Sequence, residues 1–216
     1  MKVILDFLTD LKSHNDRDWM QHNKSQYQHA KKEFEGIISS VIQGIAGFDP
    51  SVSGLLPKDC LFRINRDIRF STDKSPYKTN FGAAITPGGK KSPQPTYYVH
   101  IEPNNSFLAG GVYMPQAEEL GKIRQEIDYN PGELKKIVED ADFVKTWGAL
   151  TGDELKFAPK GYPKDHPNID LIKKKSFIVM KNLSDEKVLK NDFIESTIRS
   201  FGLLYPFNQY LSVAIS

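Results

Sequence analysis

A chain of 216 residues can bury enough apolar surface to fold without disulfide or metal staples. Its 39% hydrophobic, 26% charged and 11% aromatic content excludes a disordered tail, a coiled coil and a collagen-like or low-complexity chain. A net charge of only +2 argues against a general nucleic-acid coat, and the lone cysteine, Cys60, without CxxC or histidine-rich spacing, excludes an internal disulfide and structural zinc.

From Val3 to Phe48 apolar positions recur at helical spacing, first as Val3, Ile4, Phe7, Leu8 and Leu11, then from Tyr27 through Phe34 and Val41 to Phe48. Between the two runs His14, Asn15 and Asp16 offer N-cap side chains for a short helix holding Trp19 and Met20. Asp49-Pro50 closes the helical region, because proline disfavours the helical conformation of the residue before it. The segment Met1–Asp6 meets an acid before a signal-peptide core can form, and no run approaches the roughly 20 apolar residues of a membrane helix. A cytoplasmic protein with no membrane partner is expected, with Cys60 as a reduced, buried hydrophobe.

The middle third changes period. Phe62, Ile64, Ile68 and Phe70 alternate with Arg63, Asn65, Asp67 and Arg69, which predicts a strand with one face toward a core. Phe81–Thr86, Thr96–Pro103 and Ser106–Tyr113 are also strand-like, with turns at Pro87-Gly88-Gly89 and Asn104-Asn105. Connections this short favour antiparallel pairing. Helices return after Pro115. Leu120, Ile123 and Ile127 form one stripe, and Asn130-Pro131-Gly132-Glu133 reads as N-cap, N1 proline and an acid at N3. Ile169–Lys174 predicts a short helix, Ser176–Met180 a further strand, and Ser184 and Asn191 caps for the closing helices through Phe193, Ile194 and Ile198 and from Phe207 to Ile215. With no repeat and no linker, the expected assembly is one α+β domain over residues 1–216, a mostly antiparallel central sheet flanked by N-terminal and C-terminal helices.

Charge is placed unevenly. From Lys58 to Lys91 there are eight basic residues and three acids. Within this stretch Arg63 to Lys78 holds five bases (Arg63, Arg66, Arg69, Lys74 and Lys78) against Asp67 and Asp73. Two like charges about 4 Å apart repel by roughly 4 kcal/mol at an effective dielectric near 20, so a converged cluster calls for an outside anion. In the strand reading Arg66 shares a face with Phe62, Ile64, Ile68 and Phe70, where it must find a carboxylate, a carbonyl or a ligand. Guanidinium groups with one or two lysines suit phosphate or carboxylate recognition, because arginine donates two parallel hydrogen bonds to such groups. Asp67 would orient the guanidinium groups, Asp73 and Pro76 would shape the loop, and Asn65, Tyr77 and His100 would support the site. His100 shares the face of Tyr98 and Glu102, opposite Val99 and Ile101, and could serve as a general acid or base.

The stretch RINRDIRFSTDKSPYKTNFGA, with NDRDWMQHNKSQY before it and GGVYMP and LKFAPKGYPKDHP after it, resembles the domain of unknown function family 2461, whose members are uncharacterised proteins of bacteria and fungi. The resemblance covers nearly the full length. It implies an α+β domain with no established activity or cofactor, and matches Arg63, Asn65, Arg66, Asp67, Arg69, Asp73, Lys74, Tyr77 and Lys78 to the family's central motif.

His22 and His29 lack metal-ligand spacing, no GxSxG elbow is present, and the pairs Gly88-Gly89 and Gly110-Gly111 fit neither nucleotide-binding pattern, so neither a metal nor a cofactor is expected. Trp19, Tyr27, Phe34, Tyr97 and Tyr98 have core spacing. Three functions remain open: a site for an anionic small molecule, which leaves room for an enzyme; a binding module for nucleic acid or an acidic partner; and an internal salt-bridge network. The residues set no oligomeric state and name no substrate.

Overall fold

A computed structural model describes residues 1–216. Three helices follow the N-terminal periodicity. α1 (Lys2–Ser13) buries Ile4, Leu5, Phe7, Leu8 and Leu11. α2 (Arg17–His22) starts where the Asp16 carboxylate accepts a hydrogen bond from the Trp19 N–H at 2.8 Å. α3 (Lys24–Ala46) buries a stripe from Ala30 to Ile45. The rings of Phe7, Trp19, Tyr27, Phe34 and Phe81 meet with centroids 5.5 to 6.3 Å apart, so Phe34 is a core residue and Trp19 and Tyr27 pack half-buried against the core. After a 3-10 turn at Pro50–Val52, α4 (Pro57–Cys60) ends on the buried Cys60.

The segment expected as a strand over Phe62–Phe70 is not one. It forms two isolated antiparallel bridges, Leu61 with Ala83 and Asn65 with Tyr77, and the backbone between and beyond them is irregular. Phe62 is 41% exposed and Phe70 96%, so the alternation there does not mark a core face. Asp and Pro explain the failure. The side chains of Asp67 and Asp73 accept bonds from backbone N–H groups two residues on, and Pro76 brings no N–H to a ladder.

The three expected strands beyond it do form: β1 (Phe81–Ile85), β2 (Thr96–Ile101) and β3 (Ser106–Val112). After β3 the chain runs through α5 (Ala117–Tyr129), α6 (Pro131–Val138), α7 (Ala141–Trp147) and α8 (Ile169–Ile172) before β4 (Phe177–Leu183). The sheet order is β1-β2-β3-β4, antiparallel throughout. α9 (Asp185–Val188) and α10 (Phe193–Ile215) close the chain. Ser184 caps α9, whereas Asn191 caps nothing and α10 starts at Asp192 with no side-chain cap bond. Asn130 precedes α6 without capping it, because its amide donates to Glu126 Oε1 at 2.9 Å. The expected α+β architecture, a sheet flanked by N-terminal and C-terminal helices, holds.

Alternation along the strands sorts side chains to two faces. Ala83, Ile85, Tyr97, Val99, Ile101, Leu108, Val112, Phe177 and Val179 join α1, α3, α5 and α10 in one cluster of 39 buried residues. At Gly110 an added Cβ would lie 2.1 Å from Leu204 Cδ2, so the missing side chain is what lets α10 seat against β3. Gly111, at φ +105°, would place its Cβ 2.0 Å from the Phe177 carbonyl oxygen. The other face carries Gly82, Ala84, Tyr98, His100, Phe107, Ala109, Ile178 and Met180.

Candidate functional site

The five expected cations of the central motif do not line one cavity: Lys78 lines the larger cleft and Lys74 a separate hollow. Arg66 turns back into its own loop, where its guanidinium pairs with the Asp73 carboxylate and donates to Ser71 Oγ and the Ser75 carbonyl, each at 3.3 Å. Asp73 is in turn held by the Ser75 hydroxyl at 2.6 Å and by its N–H, and these bonds with the Arg66 contact bring its pKa down to about 2. Arg69 forks onto Asp67 through Nε at 3.0 Å and Nη2 at 2.6 Å, which holds that carboxyl below its usual range. Lys74 donates to the Ile68 carbonyl at 3.0 Å and borders a separate shallow hollow with Asn15, Asp16 and Asp18. Arg63 and Lys78 pair with no carboxylate.

Asn65 and Tyr77 face each other across the bridge that closes this loop. Asn15 clamps it to the N-terminal helices: its amide donates to the Tyr77 carbonyl at 3.0 Å and its Oδ1 accepts from the Tyr77 N–H at 3.1 Å. The early and central sequence motifs are thus joined by one side chain.

Lys78 leads to the principal cavity. A cleft of about 740 Å³ lies on the second face of the sheet, and every residue lining it belongs to a strand or a loop. Small residues, among them Ala84, Ala109 and Gly111, form its floor; Phe62, Tyr98, Phe107, Tyr113 and Met114 form its walls. Tyr113 and Met114 are 68% and 65% exposed, so apolar surface stands open at the rim. Its charged residues are Lys78, Lys90 and Lys91, with no aspartate or glutamate among them. Lys78 lies over the Phe62 ring at 5.4 Å, and burial, with Arg63 nearby, pushes its pKa down. Lys90 donates to the carbonyls of Lys58 and Asp59 at 3.1 and 3.3 Å, whereas Lys91 is exposed.

Behind Tyr98 stands a line of titratable groups. Tyr98, His100 and Glu102 occupy alternate positions from β2 onward, as their spacing predicts. The Tyr98 hydroxyl lies 3.2 Å from His100 Nδ1, and His100 Nε2 lies 3.4 Å from Glu102 Oε2. Glu102 also accepts from the Thr79 hydroxyl at 2.6 Å and the Asn105 amide at 2.7 Å. Burial pushes its pKa up, but these three donors outweigh burial and leave it below its usual range. An ionised carboxylate only accepts, so His100 carries its proton on Nε2, and Nδ1 accepts from Tyr98, with the Asn80 amide a second donor at 3.4 Å. Burial also lowers the His100 pKa, with Lys78 adding to it and Glu102 opposing, and raises that of Tyr98 to about 12. His100 stacks on Phe107 at 4.4 Å and 13°.

Lys90 and Lys91 entered the sequence reading only through the charge surplus, because nothing in the β1–β2 loop tells a cleft lysine from a solvated one. The Tyr98–His100–Glu102 face was legible from the alternation. A family described as conserved hypothetical protein (DUF2461) matches residues 3–210. No curated protein and no solved structure matches the chain. Early helical motif, clamped central loop and four-stranded sheet all fall within that match, and the chain belongs to the DUF2461 family.

Proposed function

We propose that the protein binds an organic anion with a flat apolar body, bearing a carboxylate or phosphate, in the cleft on the open face of the sheet. One observation carries this reading: a cavity of about 740 Å³ with aromatic walls has three lysines at its edge and no carboxylate to neutralise them. Lys78 is the central contact, since its ammonium is half-buried and has no anionic partner of its own. Lys91 adds charge at the mouth, and Arg63 adds field from behind Lys78. Phe62 and Tyr98 offer faces for the ligand's apolar part. Arg66, Arg69 and Lys74, spent on Asp73, Asp67 and a backbone carbonyl, shape the neighbouring loop. The compartment that suits this reading is the cytoplasm, where a lone cysteine stays reduced.

Calorimetry with a panel of aromatic carboxylates and aryl phosphates tests the proposal. At least one member should bind, and Lys78→Ala should weaken it about tenfold or more, the scale of one lost charge-assisted hydrogen bond. Affinity should change little between 50 and 200 mM salt, in contrast to the steep fall of a phosphate-backbone binder. No binding by any member, or affinity indifferent to both Lys78→Ala and Lys91→Ala, rejects the site.

A further inference from the structure

The cleft binds charge in the proposal above; the side chains at its wall can also do chemistry. Tyr98 is the one member of the tyrosine–histidine–glutamate line that lines the cleft. Gly82 pairs with His100 on the neighbouring strand, diagonal to Tyr98, and a Cβ there would come within 2.6 Å of the Tyr98 hydroxyl, so the space around that oxygen exists only because position 82 has no side chain. Phe107 fixes the plane of the imidazole, and three donors fix the Glu102 carboxylate. A buried hydroxyl on a side chain that lines the cleft, a neutral base beside it and a carboxylate orienting the base are the parts of an acid–base relay.

We infer that the cleft is a proton-transfer site, in which the Tyr98 hydroxyl and His100 Nδ1 together take a proton from a carbon next to a carbonyl on the bound anion. The substrate's proton passes to the Tyr98 oxygen as the phenol's own proton passes to His100 Nδ1, so the phenol is unchanged. The C–H electron pair stays on the substrate as an enolate, and the new imidazolium lies against Glu102. Returning the proton to a different carbon completes an isomerisation with no other reactant, and replacing it by a solvent hydron before its return to the same carbon completes an exchange. The surroundings favour this direction of charge. Lysine without any carboxylate in the cleft stabilises the added negative charge on the substrate, while Glu102 stabilises the positive charge on His100. Burial keeps His100 neutral and Tyr98 protonated at neutral pH, the two forms the relay starts from. The charged and titratable groups facing His100 are Tyr98 and Glu102 from its own strand segment and Lys78 from the segment before β1; Asn80 and Phe107 add none.

The inference rests on the anion-site reading, and one experiment separates the two. Phenylpyruvate, an aromatic 2-oxo acid with acidic methylene protons, is incubated with the protein in deuterium oxide, and deuterium gain at the methylene is followed by proton NMR beside a calorimetric measurement of binding. The protein should accelerate exchange about 10²- to 10⁴-fold over buffer. Tyr98→Phe should return exchange to the buffer rate with the dissociation constant within about twofold, since it removes one oxygen and keeps the ring. The rate should rise with pH through a midpoint below the ordinary histidine value of about 6.5, and this limb should vanish in His100→Gln. Saturated binding without acceleration, or acceleration that survives Tyr98→Phe, overturns the relay and leaves the anion site standing. Failure of phenylpyruvate to bind in a Lys78-dependent manner overturns the inference for 2-oxo acids, and failure of the whole anion panel overturns the site itself.

Discussion

Arg66 illustrates how a single residue can satisfy its charge without reaching across the fold. On the expected apolar face it had to find a carboxylate, a carbonyl or a ligand, and the carboxylate it finds is Asp73, seven positions along its own loop. Asp73 is 59% exposed although the Arg66 side chain is only 25% exposed, so Arg66→Met should lower the urea midpoint modestly while making loop 66–76 more readily cleaved by protease. A loss of several kcal/mol would mean the loop supports the core. Gly111 presents the opposite case. Alanine there would require a left-handed backbone and would drive a methyl group into the Phe177 carbonyl, so Gly111→Ala should cost at least about 3 kcal/mol, read as a lowered urea midpoint. Neither outcome was readable beforehand: the arginine's partner depends on how the loop curls, and the glycine's neighbour lies on a strand 66 positions away by numbering.

At the level of elements, the sequence located what periodicity controls and missed what side-chain bonding controls. α1, α3, α5 and the β1–β3 meander lie where apolar spacing and turn residues put them. The strand expected over Phe62–Phe70 dissolved because the Asp67 and Asp73 side chains bind backbone N–H groups that a ladder would need, and Phe62 and Phe70 turned outward. That segment is held in place by Asn15, whose two bonds to Tyr77 replace a missing strand neighbour. Asn15→Ala removes both and should cost about 1–3 kcal/mol by denaturant titration. The same change should speed amide exchange at Tyr77 by an order of magnitude or more, whereas unaltered exchange would show that the bridge from Asn65 suffices. The cleft was the least legible feature, because its cations come from two loops and its floor from small residues that carry no pattern of their own.

For the molecule as a whole, the helices pack on one face of the sheet and leave a titratable line on the other, so acid should act on the fold through that open face. Burial depresses the His100 pKa in the folded state, and the unfolded chain therefore binds more protons there as pH falls past about 6.5. The His100 contribution to stability is complete above that pH and is lost as pH drops through the lower folded value. Asp67, Asp73 and Glu102, all shifted down, contribute in the same direction, complete above the ordinary carboxylate range near 4 and lost below it. Urea midpoints should thus fall from pH 7.5 to 5 in the wild type and fall less steeply in His100→Gln; identical slopes would contradict the assignment. Chain order adds a kinetic corollary. β1, β2 and β3 are joined by the connections 86–95 and 102–105, while β4 returns only after residues 113–176, so local hairpins can zip early and the last strand must wait for a long excursion to close. Since Ile178 and Met180 of that strand line the cleft, the cavity is finished only when the final strand docks, and a nascent or half-assembled chain lacks it.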